Sequence, residues 1–225
     1  MREAIFLRRL NRFLVSVQVD GCLEEAHLPN SGRLRELLVP GVPALVRDSW
    51  DPGRNRKTKY TMWGVHTGTT WVCVDAQHAN DLFLRALQQG LLAELKGIVA
   101  VKREVLYGMN RVDFLFDTGE ERCPVEIKSV TLVRDGVALF PDAPTERGRQ
   151  HFEVLIRAAA KGQRAGIGFM VQRSDATSFS PNTLTDPGFA ATLWEAVRKG
   201  VWMAACKFEI GQGWIGRAER ISVML

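Results

Sequence analysis

Through the first eighty residues the chain changes polarity in short runs. Phe13-Leu14-Val15-Ser16-Val17-Gln18-Val19 partly alternates and ends at Asp20-Gly21, a dipeptide suited to a tight hairpin turn. Further short strand candidates lie at 45–47, 59–65 and 70–74, punctuated by Gly41, Pro43, Pro52-Gly53 and Gly68. Many short strands separated by turns predict a small barrel or sandwich, and an OB-like β-barrel is the preferred version. From about Gln77 the period lengthens. Phe83, Leu84, Leu87, Leu91 and Leu95 form a helical stripe that Gly90 would bend or split. Three strand candidates follow at 99–106, 112–116 and 125–132, with Asp117-Thr118-Gly119-Glu120 as a turn. Thr145 is placed to cap a second helix, whose apolar residues Phe152, Leu155, Ile156 and Ala159 recur at helical spacing until Gly162. A strand at 167–171, a helix over about 188–199 and strands from Val201 and Ile221 complete the order. The expected organisation is two domains: 1–80, an OB-like barrel, and 81–225, an α/β (α+β) domain with the order helix, three strands, helix, strand.

Composition narrows the class without naming a task. Hydrophobic residues make up 46% of the 225 and charged residues 24%, which is ordinary for a globular chain and excludes wholesale disorder. The net charge of +5 comes from 30 Lys+Arg against 25 Asp+Glu. There are 11 basic and 8 acidic residues in 1–80, and 19 and 17 in 81–225, so no basic tail exists. Such an excess permits a polyanionic partner and does not require one. Cys22, Cys73, Cys123 and Cys206 form no C-x-x-C pair, which argues against a zinc site or a disulfide scaffold and fits buried, reduced thiols. Residues 1–9 carry no signal-peptide pattern, and no run approaches the ~20 apolar residues of a membrane span. The expectation is a cytoplasmic protein with no membrane partner. No phosphate-cradling Gly-Lys loop, dinucleotide fingerprint or Ser/His/Asp spacing appears, so nucleotide hydrolysis and acyl transfer lack support.

The informative stretch is Arg111-Val112-Asp113-Phe114-Leu115-Phe116 followed by Pro124-Val125-Glu126-Ile127-Lys128-Ser129. Glu126 and Lys128 are two apart, so on a strand they leave the same face. A hairpin turning near residue 118 brings Asp113 beside them. Two carboxylates on neighbouring strands among apolar residues are disfavoured by ordinary packing, and a hard divalent cation such as Mg²⁺ or Mn²⁺ would remove their repulsion. Lys128 could then hold an attacking water or offset charge on a phosphate. The bland alternative is an ion pair of Lys128 with Glu126 or Asp113 on a solvated face.

This D-x(12)-E-x-K arrangement resembles the PD-(D/E)xK nuclease core. The whole chain, more specifically, resembles the bacterial sugar fermentation stimulation protein A family. The matching blocks, in order, are Pro29-Asn30-Ser31-Gly32-Arg33-Leu34, Arg111-Val112-Asp113-Phe114, Val125-Glu126-Ile127-Lys128-Ser129-Val130-Thr131-Leu132 and Phe140-Pro141-Asp142-Ala143-Pro144-Thr145-Glu146-Arg147-Gly148. Ser31 stands where the family pattern has Thr, and Val112 where the nuclease motif has Pro. The resemblance implies an N-terminal OB-like domain, a C-terminal PD-(D/E)xK nuclease-like domain, DNA binding, and a link to the regulation of sugar-fermentation genes. It further implies Asp113, Glu126 and the Ile127 carbonyl as metal ligands, with Lys128 assisting catalysis. Glu94 sits where related nucleases often carry an extra acidic group; it is equally well a solvent-facing carboxylate.

Weaker candidates surround this core. Arg149, Glu153 and Arg157 are spaced to make a solvated ion-pair face. On another flank, Arg147 could meet a phosphate near the helix N-terminus, whereas His151 reads as an ordinary polar surface residue. Asp142 is either a further ligand or a turn residue. Arg54, Arg56, Lys57 and Lys59 crowd one loop ahead of Trp63 and Trp71, with Arg33 and Arg35 as an extension of that basic surface. Basic side chains neutralise phosphates and aromatic faces stack bases, although the two tryptophans also suit a core. Two functions compete: a metal-dependent nuclease that binds DNA, and a non-cleaving DNA-binding regulator of sugar metabolism on the same scaffold. Nothing tests for a 2′-hydroxyl, so RNA stays open as substrate, and the pattern is compatible with a homodimer.

Overall fold

A computed structural model describes residues 1–49, 57–108 and 110–225. The chain folds into two compact units. The first comprises Met1–His78 with Gln172–Asp175 and Phe208–Arg217, and the second comprises the remainder. Two segments beyond residue 80 thus pack with the first unit.

The first unit is built on β1 (Arg2–Asn11), β2 (Leu14–Val19), β3 (Cys22–His27), β4 (Pro43–Asp48), β5 (Tyr60–His66) and β6 (Trp71–Cys73). The strand order is β3-β2-β1-β4-β5-β6, and β3 also pairs with β5 in parallel, Ala26 opposite Tyr60 and His27 opposite Thr61. That extra pairing closes five strands into an OB-type barrel. The β2–β3 turn is the expected one: Asp20 and Gly21 both have positive φ, 50° and 81°, the conformation of a two-residue hairpin loop. Val15, Val17 and Val19 of β2 point inward against Ala26, Val46 and Met62, all buried. Asn30 explains its motif, since its side chain accepts from Gly32 N–H at 2.8 Å and donates to the Val74 carbonyl at 3.0 Å. Gln172 serves this unit too. Its side-chain amide donates to the carbonyls of Cys73 (2.8 Å) and Asp75 (3.0 Å), and its backbone carbonyl accepts from Cys73 N–H at 3.0 Å.

The second unit carries α1 (Ala79–Gln88), β7 (Ala100–Tyr107), β8 (Asn110–Asp117), β9 (Arg122–Val130), β10 (Leu132–Arg134), β11 (Val137–Phe140), α2 (Glu146–Ala159), β12 (Gly166–Val171), β13 (Ser178–Pro181), α3 (Pro187–Arg198), β14 (Trp202–Gly211) and β15 (Trp214–Val223), the last two continuing into the first unit. These strands make a mixed nine-stranded sheet in the order β10-β11-β13-β15-β14-β12-β9-β8-β7. The expected helix, three strands, helix, strand order is present, with the β10–β11 hairpin inserted before α2. β9, β12 and β14 run parallel at the centre, and all six residues of β12 are buried, as for a strand covered on both faces. Gly168 permits the close approach of α1, because a Cβ there would meet the Phe83 ring at 2.7 Å.

The local signal read at α2 acts as expected, and α3 has a cap beyond those expected from sequence. Thr145 caps α2 by accepting from Gly148 N–H at 3.1 Å, and Asp186 caps α3 by accepting from Phe189 N–H at 2.8 Å. Gly90 splits the helical stripe as expected: α1 ends at Gln88, Gly90 takes φ 75°, and a short 3₁₀ turn follows at Ala93–Leu95. Two expectations are corrected. The final strand begins at Trp214 rather than Ile221. Cys22 is exposed beside its turn, while the other three cysteines are buried and all four are free. Among the described residues no helix is long and apolar enough to cross a membrane.

Candidate functional site

β9 places Val125 and Ile127 on one face and Glu126 and Lys128 on the other. Its pairing with β8 proceeds residue by residue and stops at Phe114 opposite Val125. One step further the Asp113 side chain takes over: its Oδ2 accepts from Ile127 N–H at 2.7 Å. In an extended strand a residue's N–H and C=O leave the same edge, so the Ile127 carbonyl lies on the Asp113 side of β9. Glu126 is only 3% exposed. Lys128 Nζ approaches its Oε1 at 2.5 Å, and His151 Nδ1 of α2 bonds the same oxygen. α1 adds Asn80, whose amide donates to Asp113 Oδ1 at 3.4 Å.

This geometry sets the two carboxylates apart electrostatically. Burial raises the Asp113 pKa and the Glu126 charge raises it further, against smaller opposing effects of the Ile127 N–H, Lys128 and Asn80. Glu126 moves the other way. Burial pushes it up, but Lys128 and then His151 outweigh burial and hold it below the usual carboxylate range. Opposed shifts in neighbouring groups are a mark of sites built for proton or cation chemistry. Asp113 and His151 line a cavity of about 470 Å³ together with Arg111, Glu146 and Gln150.

The donors available to a cation are two carboxylates and the Ile127 carbonyl, all hard oxygens of the kind Mg²⁺ and Mn²⁺ take. Among the described residues no three His, Cys, Asp or Glu side chains gather into a metal-binding group. Three oxygen donors are fewer than a hard cation takes, so such an ion would need further oxygens from water or phosphate.

Glu94 does not join this group through any such contact. It sits in a short 3₁₀ turn, Ala93–Leu95, beyond the end of α1, and its oxygens bind Arg220 at 2.5 and 3.0 Å. Burial raises its pKa, but the Arg220 hydrogen bonds leave it lowered. The residues that sequence reasoning missed are Asn80 and His151. His151 directly precedes the fully buried Phe152 on a helix covering the sheet, and that adjacency was the available signal. Arg149 also departs from expectation: it bonds Asp186 at 2.9 Å, leaving Arg157 and Glu153 as the exposed pair at 3.8 Å.

Comparison with known proteins bears on both units. Residues 7–74 match the SfsA N-terminal OB domain, and residues 77–213 match the sugar fermentation stimulation protein RE domain. The chain belongs to the sugar fermentation stimulation protein (SfsA) family. Among its SfsA relatives, the sugar fermentation stimulation protein homolog of Caldanaerobacter subterraneus subsp. tengcongensis is 40% identical over 98% of this chain and 95% of the relative. The homolog of Desulforamulus reducens is 42% identical over 99% and 92%. A solved structure, Pyrococcus furiosus SfsA in complex with Ca²⁺, superposes with a TM-score of 0.89 at 31% identity, covering 100% of this chain and 96% of the other.

The nucleic-acid candidates of this SfsA-family chain divide. Arg54 and Arg56 lie outside the described residues, as does the side chain of Arg147, which falls within α2. Lys57 and Arg33 are exposed. Lys59 lies 3.9 Å from Glu24 and 5.0 Å from the Tyr60 ring centre. Trp63 is a core residue, 3% exposed, and Trp71 packs edge-on against His66 at 5.1 Å.

Proposed function

We propose that this chain binds nucleic acid, principally DNA, and hydrolyses a phosphodiester bond at Asp113, Glu126 and Lys128 with Mg²⁺ or Mn²⁺. The observation that carries this reading is the end of the β8–β9 ladder. There Asp113 stands in for a strand partner and faces a second buried carboxylate of opposite pKa shift. Asp113, Glu126 and the Ile127 carbonyl would hold the cation. The complex of the Pyrococcus furiosus relative with Ca²⁺ supports an ion of this hard type. A bound divalent cation acidifies water and neutralises charge on a phosphate.

The chain's own residues supply the rest. Lys128, one face-step from Glu126 and 13% exposed at its side chain, is placed to orient the attacking water and stabilise negative charge on the phosphate. His151 shares Glu126 with Lys128 and fixes that carboxylate oxygen from α2. Asn80 does the same for Asp113. In the barrel, the basic loop of Arg54, Arg56, Lys57 and Lys59, together with Arg33, would bind the phosphate backbone, and Arg147 of α2 would add to that binding.

A second reading has a specific observation behind it. Lys128 and His151 both satisfy one Glu126 oxygen, a neutralisation that needs no metal and would suit a non-cleaving DNA-binding regulator. The deciding experiment incubates supercoiled plasmid, single-stranded DNA and RNA with the protein in EDTA, Mg²⁺ or Mn²⁺, beside Asp113→Ala and Lys128→Ala. Metal-dependent cutting abolished by both substitutions supports the nuclease. Salt-sensitive binding without cutting supports the regulator.

A further inference from the structure

The β1–β2 turn of the barrel carries an aromatic surface that the site above does not use. Phe13 is 45% exposed, although the alternating residues after it, Val15 and Val17, are fully buried. Its ring lies 6.4 Å from the His27 imidazole at 33°, and the Arg12 guanidinium stands over the ring, 5.4 Å from its centre. His27 is fixed from behind: its Nδ1 donates to the Phe13 carbonyl at 3.1 Å, an oxygen that can only accept, so Nε2 is left as the second polar atom of the ring.

Arg9 makes this surface rigid. Its guanidinium donates to the carbonyls of Arg12 at 2.6 Å and of Gly32 and Arg33 at 2.7 Å each. One planar group thus ties the β1–β2 turn to the 30–33 turn, and brings the backbones of Arg12 and Arg33 to opposite sides of a single side chain. The side chains of Arg12 and Arg33 are exposed, and neither has a carboxylate partner among the described residues. The patch therefore offers a held aromatic ring with one exposed cation over it and a second on the tethered 30–33 turn.

We propose that Phe13 and His27, flanked by Arg12 and Arg33, stack an unpaired nucleobase, so that the barrel takes a single-stranded polynucleotide. This rests on the nucleic-acid reading above. Paired bases are already stacked and turned inward, whereas a free base presents its face to an aromatic ring. The two exposed guanidinium groups would pair with phosphates of such a strand; charge complementarity excludes an apolar or basic partner, and the aromatic ring favours a nucleobase over an acidic peptide.

The test is fluorescence anisotropy on the full chain in EDTA, which removes cleavage from the readout. The probes are labelled 20-mers of oligothymidine and oligouridine and a 20-base-pair duplex. Wild type is compared with Phe13→Ala, Phe13→Trp, His27→Ala and the double variant Arg12→Gln, Arg33→Gln. Single strands are expected to bind more tightly than duplex. Phe13→Ala is expected to weaken them roughly five- to a hundred-fold, the loss of one stacked base, with duplex binding unchanged. Phe13→Trp is expected to retain affinity, and the double arginine variant to lower the slope of log K against log salt by roughly 1.4. Equal affinity of oligothymidine and oligouridine assigns the site to either polymer, and a preference for one names it; both outcomes keep the stacking site. Single-strand affinity unchanged in both Phe13→Ala and His27→Ala overturns the proposal, as does an equal loss for duplex. A chain that fails to cut DNA but shows the Phe13 effect loses the nuclease reading alone.

Discussion

Replacing Asp186 by alanine tests how the start of α2 is held, and through it the placement of His151. Asp186 is buried, with its side chain 4% exposed, and it serves two helices at once. Its Oδ1 caps α3 through Phe189 N–H at 2.8 Å and takes Arg149 of α2 at 2.9 Å, while Oδ2 accepts from Thr145 N–H at 2.8 Å. Losing an N-cap costs about 1 kcal/mol, and a hydrogen bond to a charged group contributes roughly 1.5–3 kcal/mol. Arg149 is 37% exposed, so its share is discounted for solvent screening. The expected loss is roughly 3–4 kcal/mol, or about 6–16 °C in Tm for a chain of this size. Asp186→Asn keeps an oxygen for capping and should lose roughly 1 kcal/mol. Urea unfolding followed by tryptophan fluorescence measures this, since Trp194 lies in α3. The pH dependence has a definite sign. Burial raises the Asp186 pKa, but hydrogen bonds from Thr145 and Phe189 and the Arg149 charge leave it lowered. Its charged contribution is therefore complete above the unfolded pKa, near 3.9, and is lost as pH falls through the lower folded value. The gap between wild type and Asp186→Asn should close on acidification. An Asp186→Ala variant within about 1 kcal/mol of wild type, or a gap that widens in acid, would refute the reasoning.

In EDTA, Asp113→Asn should be more stable than wild type above the raised Asp113 pKa, because burial and Glu126 disfavour the charge there and wild-type stability falls as pH rises through it. With Ca²⁺ or Mn²⁺ at a hundredfold excess over its Kd, wild type should gain about 2.7 kcal/mol, seen as a thermal shift of roughly 5–11 °C. The variant should lose most of that shift, and an equal shift in both chains removes Asp113 from the ligand set. Neutralising Arg54, Arg56, Lys57 and Lys59 together should lower the slope of log K against log salt for duplex DNA by up to roughly 3–4; an unchanged slope moves the interface elsewhere. Gly168→Ala should cost roughly 1–3 kcal/mol by overpacking, because its Cβ would meet the Phe83 ring at 2.7 Å, and calorimetry of the full chain reads it.

The parts of this fold that could be read in sequence are those where one rule acts alone. Asp20-Gly21 forms its turn and Thr145 its cap because the chemistry is local. The Asp113, Glu126 and Lys128 group is legible because strand alternation and one hairpin suffice to bring it together. β1 escapes a reading by pattern because Arg2, Glu3, Arg8 and Arg9 mask the buried Ala4 and Phe6 between them. β15 reads too short for a similar reason, since Arg217, Glu219 and Arg220 occupy its exposed positions. Asn80 and His151 come to the site on helices that fold back over the sheet, and no spacing along the chain encodes that return. Glu94 misleads because the apolar stripe continues past the point where the helix stops. Gly90 ends the helix, and Arg220, from the far end of the chain, claims the carboxylate.

Gln172 gives the barrel a dependence on synthesis order. β1 to β6 have all been synthesised once Cys73 is added, yet the residue that bonds the Cys73 carbonyl comes 99 positions later. At ~5–20 residues per second that interval is roughly 5–20 s. During it, the end of β6 has water where the finished protein has an amide. Until the passage that follows β12 is made, the Cys73 carbonyl lacks its Gln172 amide, and Phe208–Arg217, which belongs to the same unit, arrives later still.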